Sequence, residues 1–117
     1  MRIPFRIPPA TRPFDVVGLG ENSMDLVAVV ADYPTSNTKQ RLQRFARHPG
    51  GQIATALAAC ARLGWRASYV GRFGDDDLGR QGRDSLAGMG VDTSAARTIP
   101  GTTNQFAVIL VDARTGE

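Results

Sequence analysis

The sequence predicts an α/β fold, and three observations carry that prediction. Phe14-Asp15-Val16-Val17-Gly18-Leu19-Gly20 is a short, β-branched apolar run stopped by glycines, the pattern of a buried strand. Two segments of helical character follow, Gln52 to Leu63 and Leu78 to Met89, each closed by glycine. A short strand, Ala67 to Val70, lies between them, and a further run, Asn104 to Val111, comes after. Strand, helix, strand, helix, strand at this spacing implies right-handed crossovers and a parallel sheet covered by helices.

The first strand ends in a tight turn at Gly18-Leu19-Gly20. From Met24 to Ala31 the chain is apolar again, and Val27, Val29 and Val30 favour a second strand over a helix. Asp32-Tyr33-Pro34 closes it. Thr35 to His48 is polar and basic, with Leu42 and Phe45 as its apolar anchors, and reads as irregular or as an exposed strand. Gly50-Gly51 opens the clearest helix, in which Ile53, Leu57 and Cys60 recur at helical spacing. Its five alanines between Ala54 and Ala61 make it thin, so it can approach a sheet closely. In the second helix Leu78, Leu86 and Met89 form the apolar stripe, while Gly79 and Gly82 lower its intrinsic propensity. In the final strand Phe106, Val108 and Leu110 share one face, and Asp112 to Gly116 reads as a turn.

Composition narrows the function classes. A chain of 117 residues, 42% hydrophobic, can hold one core without staples. One cysteine excludes an internal disulfide, and one cysteine with one histidine leaves no common zinc ligand set, so no metal site is expected. No apolar run reaches the ~20 residues of a membrane helix, which favours a cytoplasmic chain without a membrane partner. The net charge of +3 invites a nucleic-acid reading, but its location argues otherwise. Arg2, Arg6 and Arg12 lie in the first thirteen residues with no acid, leaving 11 basic against 11 acidic residues in the body. Four of the seven prolines fall in the same stretch, so residues 1–13 are expected to be a disordered basic tail rather than a helical targeting segment. Nucleic acid is not the expected partner.

Several residues could carry chemistry. Gly18-Leu19-Gly20 invites a dinucleotide fingerprint. However, the sixth position is Ser23, a strand rather than a helix follows, and no acid lies at the ribose-binding distance. Asp25 sits just past a strand's carboxyl end among apolar residues, where a carboxylate can accept hydrogen bonds from neighbouring hydroxyls of a polyol; an ordinary turn aspartate has the same signature. Gly50-Gly51 at a helix start lets a ligand approach free N–H groups, or simply gives a flexible helix entry. Asp75-Asp76-Asp77 reads as a helix cap rather than a metal cluster. His48 reads as a loop residue and Cys60 as a small packed hydrophobe.

Together the segments resemble one family. Gly50 to Gly64 (GGQIATALAACARLG), then Val70 to Gly79 (VGRFGDDDLG), then Met89-Gly90-Val91-Asp92 resemble the amino-terminal signature of the ribokinase, or PfkB-type, carbohydrate kinases. Gly20-Glu21-Asn22-Ser23-Met24-Asp25 resembles the motif that ends their first strand, and Thr102-Thr103 with the strand to Val111 fits the following segment. The resemblance covers residues 14 to 117. It implies the amino-terminal portion of a three-layer α/β/α domain with a parallel-rich sheet and a small β-lid, whose strands the resemblance draws from Asp25 to Phe45 and, as an alternative to the core sheet, from the Thr102 to Val111 region.

The resemblance further implies phosphoryl transfer from ATP, with Mg²⁺, to a hydroxyl of a sugar, nucleoside or similar polyol in a full-length parent. By position it assigns substrate contacts to Asp25, Ser23, Gly50, Gly51, Gln52 and Thr55, and a possible homodimer to the lid. Ribokinase proper carries asparagine at the positions of Ser23 and Thr55, which puts ribose itself in doubt. The family's Gly-Ala-Gly-Asp element, with its catalytic base and anion hole, matches nothing in residues 1–117. No catalytic residue and no bound cofactor are therefore expected for this chain alone. It is expected to be inactive, as a piece of a kinase or as a non-catalytic sugar-binding or dimerisation module.

Overall fold

The computed structural model describes residues 12–117, so the expectation of a disordered tail falls almost wholly outside the described residues. Among them the elements run β1 (Val16–Leu19), β2 (Ser23–Val30), β3 (Leu42–Gly50), α1 (Gln52–Arg62), β4 (Ala67–Val70), β5 (Arg72–Gly74), α2 (Asp77–Gly88), β6 (Val91–Asp92), β7 (Arg97–Ile99) and β8 (Phe106–Asp112). None of the described helices is long and apolar enough to cross a membrane.

The strands form three sheets. β1, β4 and β6 make a parallel sheet in the order β1-β4-β6. β3, β2 and β8 make a second sheet, with β3 antiparallel and β8 parallel to β2. β5 and β7 pair as a small parallel ribbon. The alternation of strand and helix is therefore as the sequence implies, but the last strand is not where a single parallel sheet would put it. The third strand of the core sheet is the two-residue β6, too short for a periodicity argument to detect. β8 instead joins β2. The polar stretch before Gly50 resolves in the same way: Leu42–Gly50 is a strand, held by its ladder to β2 despite its polar sequence.

The core lies between the β1-β4-β6 sheet and the two helices. Ala54, Leu57 and Ala58 of α1 pack with Ala67 and Tyr69 of β4, Phe73, Leu86, Val91 and Ala96. α1 can come this close because β1 offers it a glycine. A Cβ on Gly18 would stand 2.7 Å from both Ile53 Cγ2 and Leu57 Cδ1, and one on Gly20 would stand 2.6 Å from Ile53 Cγ1. The glycines of the Gly18-Leu19-Gly20 turn thus serve helix packing, which removes the remaining case for a phosphate-binding turn. Gly79 plays the same part in α2, where a Cβ would strike the Gly74 carbonyl oxygen. Its low helix propensity is offset by that close approach. On the opposite face of the core sheet Val17 and Leu19 are exposed, at 58% and 76%.

Local contacts set the ends of the elements. Asp76 is the N-cap of α2, its carboxylate accepting from Gly79 N at 2.9 Å. Asp75 accepts from the backbone N–H groups of Gly101 and Thr102 at 2.7 and 3.2 Å, and Asp77 pairs with Arg80. The three acids are a cap, a loop tie and a surface pair, in keeping with the capping expectation. At the foot of the core sheet Arg66 grips Asp15 through two side-chain bonds. That hydrogen bonding holds the Asp15 carboxyl at about 2, below its ordinary 3.8.

The close approach of α1 to β1 generates a stability prediction. Gly18→Val places a branched side chain where Ile53 and Leu57 already sit, and is expected to cost about 1–3 kcal/mol. Urea unfolding of the two chains measures the difference, and equal midpoints would show that the helix has room to move.

Candidate functional site

Both glycines at the α1 entry have assigned work in the structure. Gly51, the N-cap, adopts φ 92°, a left-handed conformation that L side chains rarely occupy. A Cβ there would stand 2.5 Å from Asn22 Cα, so the helix start is pressed against the backbone of the turn after β1. Ala54 N donates to the Glu21 carbonyl at 3.2 Å and completes this junction. Gly50 leaves space of a different kind. A Cβ on it would lie 2.6 Å from Asp25 Oδ2 and 3.1 Å from Ser23 Oγ, so its lack of a side chain makes room for the Asp25 carboxylate.

Asp25 itself lies inside β2 rather than past the end of the first strand, because the chain re-enters a strand at Ser23 after a three-residue turn. Ser23 Oγ donates to Asp25 Oδ1 at 3.1 Å, orienting the carboxylate and leaving Oδ2 over Gly50. In the β3-β2-β8 sheet, which is the lid, Ser23 stands opposite Gly50, and Asp25 opposite His48 on β3 and Ala107 on β8. His48 is thus a strand residue on the Asp25 face of the lid, not a loop residue.

A cavity of about 330 Å³ opens beside this junction. Ser23, Pro49 and Gly50 line it from the lid, Thr55, Ala58 and Arg62 from α1, and Gly82, Leu86 and Met89 from the α2 side. Of the residues expected to contact substrate, Ser23, Gly50 and Thr55 border this cavity, and Asp25 adjoins it through Ser23 and Gly50. Gly51 shapes the helix start from behind. Gln52, the first residue of α1, is exposed and does not border the cavity. A second cavity, of about 420 Å³, lies at the carboxyl ends of β1 and β4, between Glu21, Arg72, Thr103 and Gln105.

A buried polar network supports the turn that joins the two cavities, and it escaped the sequence analysis. Tyr69 is fully buried and donates its hydroxyl to the Gly20 carbonyl at 2.7 Å. The Asn22 amide nitrogen donates to Tyr69 Oη at 2.8 Å and to the Arg72 carbonyl at 2.6 Å. Burial pushes the Tyr69 hydroxyl pKa up, so it stays a donor at neutral pH. Asn22 Oδ1 is buried and lacks a partner among the described residues. The signal was a tyrosine in a short buried strand, whose hydroxyl must find a partner somewhere. Its partners are 47 and 49 residues away, which no local pattern reveals.

With this geometry in view, the comparisons with known proteins are specific. The model of the pfkB family carbohydrate kinases matches residues 14–117. The 5-dehydro-2-deoxygluconokinase of Lacticaseibacillus casei is 35% identical over 81 residues, which are 69% of this chain and 24% of that protein. The aminoimidazole riboside kinase of Salmonella enterica, solved with aminoimidazole riboside and an ATP analog, is 32% identical with a TM-score of 0.62, over 84% of this chain and 29% of that one. The ribokinase of Arabidopsis thaliana, solved with ribose and ATP, superposes with a TM-score of 0.80 over 91% of this chain and 34% of that one. At 22% identity this last likeness shows the fold alone, a ribokinase-like α/β fold. The chain spans about a quarter of the length of the curated relatives it matches.

Tyr69→Phe leaves the Gly20 carbonyl without its donor and the Asn22 amide with one partner fewer. The expected cost is about 1–3 kcal/mol of stability. Thermal or urea unfolding of the variant checks it; a chain as stable as the parent would mean that the network is replaced by solvent.

Proposed function

The chain belongs to the pfkB family of carbohydrate kinases, and from that premise we propose that it supplies the sugar-holding portion of an ATP-dependent phosphotransferase. The observation that carries the proposal is the junction of Ser23, Asp25, Gly50 and Thr55. There a carboxylate oriented by Ser23 overhangs a glycine, beside a cavity of sugar size. An ionised carboxylate only accepts hydrogen bonds, so adjacent hydroxyls of a polyol are its natural donors. Thr55 adds a hydroxyl from the first turn of α1, and Gly50 lets the sugar ring approach the backbone. The substrate is a sugar or related polyol; Ser23 and Thr55 are shorter than amide side chains and leave the site wider. Gln52, exposed on the first turn of α1, would reach a substrate only from the rim.

ATP with Mg²⁺ would supply the transferred phosphoryl group in the full-length enzyme. The residues present do not fit that group by themselves. The Gly18-Leu19-Gly20 turn is filled by Ile53 and Leu57, and no Gly-Ala-Gly-Asp element occurs in the sequence. Phosphoryl transfer depends on positioning and charge stabilisation, so the 117-residue chain is expected to bind substrate and not to turn it over. A cytoplasmic setting, where ATP is available, suits this role.

The lid also favours self-association. Leu42, Phe45, Phe106 and Val108 are exposed and share the face of the lid opposite Asp25. A cluster of this kind, with Arg47 on the same face, suits a copy of the same lid.

Two measurements test these proposals. Calorimetric titration with a panel of sugars is expected to find a binder, with Asp25→Asn weakening it at least about tenfold; an unaltered affinity, or phosphorylation of the sugar when ATP is added, would count against the reading. Light scattering is expected to show a dimer that Phe45→Glu converts to monomer, and a parent chain already monomeric at high concentration would refute the lid contact.

A further inference from the structure

Asn104 is a buried polar residue outside the junction of Ser23, Asp25, Gly50 and Thr55. It is 4% exposed and lies two residues before β8, at the root where the chain re-enters the lid. Burying an amide is costly unless its donors and acceptors find partners. Asn104 Oδ1 accepts from Gly74 N at 3.1 Å, and Nδ2 donates to the Gln105 carbonyl at 3.0 Å. Those partners fix which way the amide points, because a backbone N–H only donates and a carbonyl only accepts. The backbone N–H of Asn104 donates to Asp76 Oδ1 at 3.2 Å, the same oxygen that caps α2 by accepting from Gly79 N. Gly74 admits this contact because it lacks a side chain: a Cβ there would stand 2.3 Å from Asn104 N.

The Gln105 carbonyl is shared. Met24 N also donates to it, at 3.0 Å, so the Asn104 amide and the backbone of β2 meet on one oxygen. A path of hydrogen bonds thus runs from Gly74 through Asn104 and the Gln105 carbonyl to Met24, the residue between Ser23 and Asp25. On the other side of Ser23, Asn22 Nδ2 donates to the Arg72 carbonyl at 2.6 Å. Arg72 and Gly74 are the two ends of β5. Phe73 between them is 2% exposed and packs on Tyr69 with ring centroids 5.4 Å apart. One three-residue strand, anchored in the core by its own aromatic ring, therefore holds the backbone on both sides of Ser23.

We propose that Asn104 is a positioning residue of the site: by tying β2 to β5 it sets where the Asp25 carboxylate stands over Gly50. The proposal rests on the sugar-holding reading of Asp25 and adds the residue that fixes its place. Asn104 borders the second cavity and not the 330 Å³ one, so it acts through Asp25. A shift of β2 against the entry of α1 changes both the clearance of Asp25 over Gly50 and the 3.1 Å bond from Ser23. Hydrogen bonds weaken steeply with misalignment, so a displaced carboxylate loses hydroxyls that it otherwise accepts. Asparagine suits the task because one planar group carries both the acceptor for Gly74 and the donor for Gln105.

Hydrogen exchange and a double-mutant cycle on the 117-residue chain test this. In Asn104→Ala the Gly74 and Met24 amides are expected to exchange at least about tenfold faster relative to the Leu57 and Ala58 amides of α1, a ratio in which a global loss of stability cancels. Asn104→Asp, the milder change, keeps an acceptor for Gly74 N but lacks the donor, and should release Met24 more than Gly74. Isothermal titration then uses whichever of glucose, fructose and myo-inositol the parent chain binds best. Asn104→Ala is expected to weaken that affinity about tenfold, and to add little once Asp25→Asn is in place. Met24 exchange that merely follows α1, or losses that add in the double variant, would overturn the positioning role and leave the sugar-holding reading standing. A parent chain that binds none of the three would overturn that reading and the role with it, whatever the exchange pattern.

Discussion

The approach of α1 to β1 is the contact on which the rest of the molecule depends. It exists because Gly18 and Gly20 have no side chains where Ile53 and Leu57 need to be. Once the helix is seated there, its first residues press against the turn at Glu21 and Asn22, and Gly51 must take a left-handed conformation to enter the helix. That entry fixes Gly50 beneath Asp25 and places Thr55 one turn farther along the same cavity wall. A packing constraint in the core therefore sets the geometry of the site. The polar network of Tyr69, Asn22 and the Gly20 and Arg72 carbonyls braces the same turn from below.

The lid adds the second element of the design. β2 is its central strand, with an antiparallel neighbour on one side and a parallel neighbour on the other. Because residues alternate between faces with a period of two, one strand can serve two tasks. Met24, Ala28 and Val30 are buried with the apolar side chains of β3 and β8 around them. Ser23 and Asp25 turn to the other face, with His48 and Arg44 alongside. The two faces therefore differ in character, one largely apolar and one polar. A register slip of one residue would exchange the two faces.

The family match covers the elements that build this arrangement. The matched region, residues 14–117, begins two residues before β1 and takes in the lid, the glycine pair and both helices. The junction itself is built from a carboxylate, two hydroxyls and a glycine.

Much of the site was legible in the sequence. Gly50-Gly51 before an alanine-rich apolar run marked a helix entry that could face a ligand, and Asp25 stood out as an acid among valines and leucines. The helices were legible because their apolar spacing and glycine stops are local signals. Leu42–Gly50 was ambiguous because an edge strand exposed on its outer side carries little hydrophobic pattern. Its identity comes from hydrogen bonds to β2 that sequence does not display. The partner of β8 was likewise undecided by local pattern, since a strand's periodicity says which residues share a face and not which sheet receives it. Asn22 and Tyr69, 47 residues apart, meet only when β1 and β4 lie side by side. By itself the sequence determined the two helices, the strands β1, β2, β4 and β8, the family and the residue types of the candidate site, because those are carried by patterns a few residues long. Only the tertiary structure decided that His48 faces Asp25 and that the Asp25 carboxylate rests over Gly50, because cross-strand register is set by the packing of whole elements against one another.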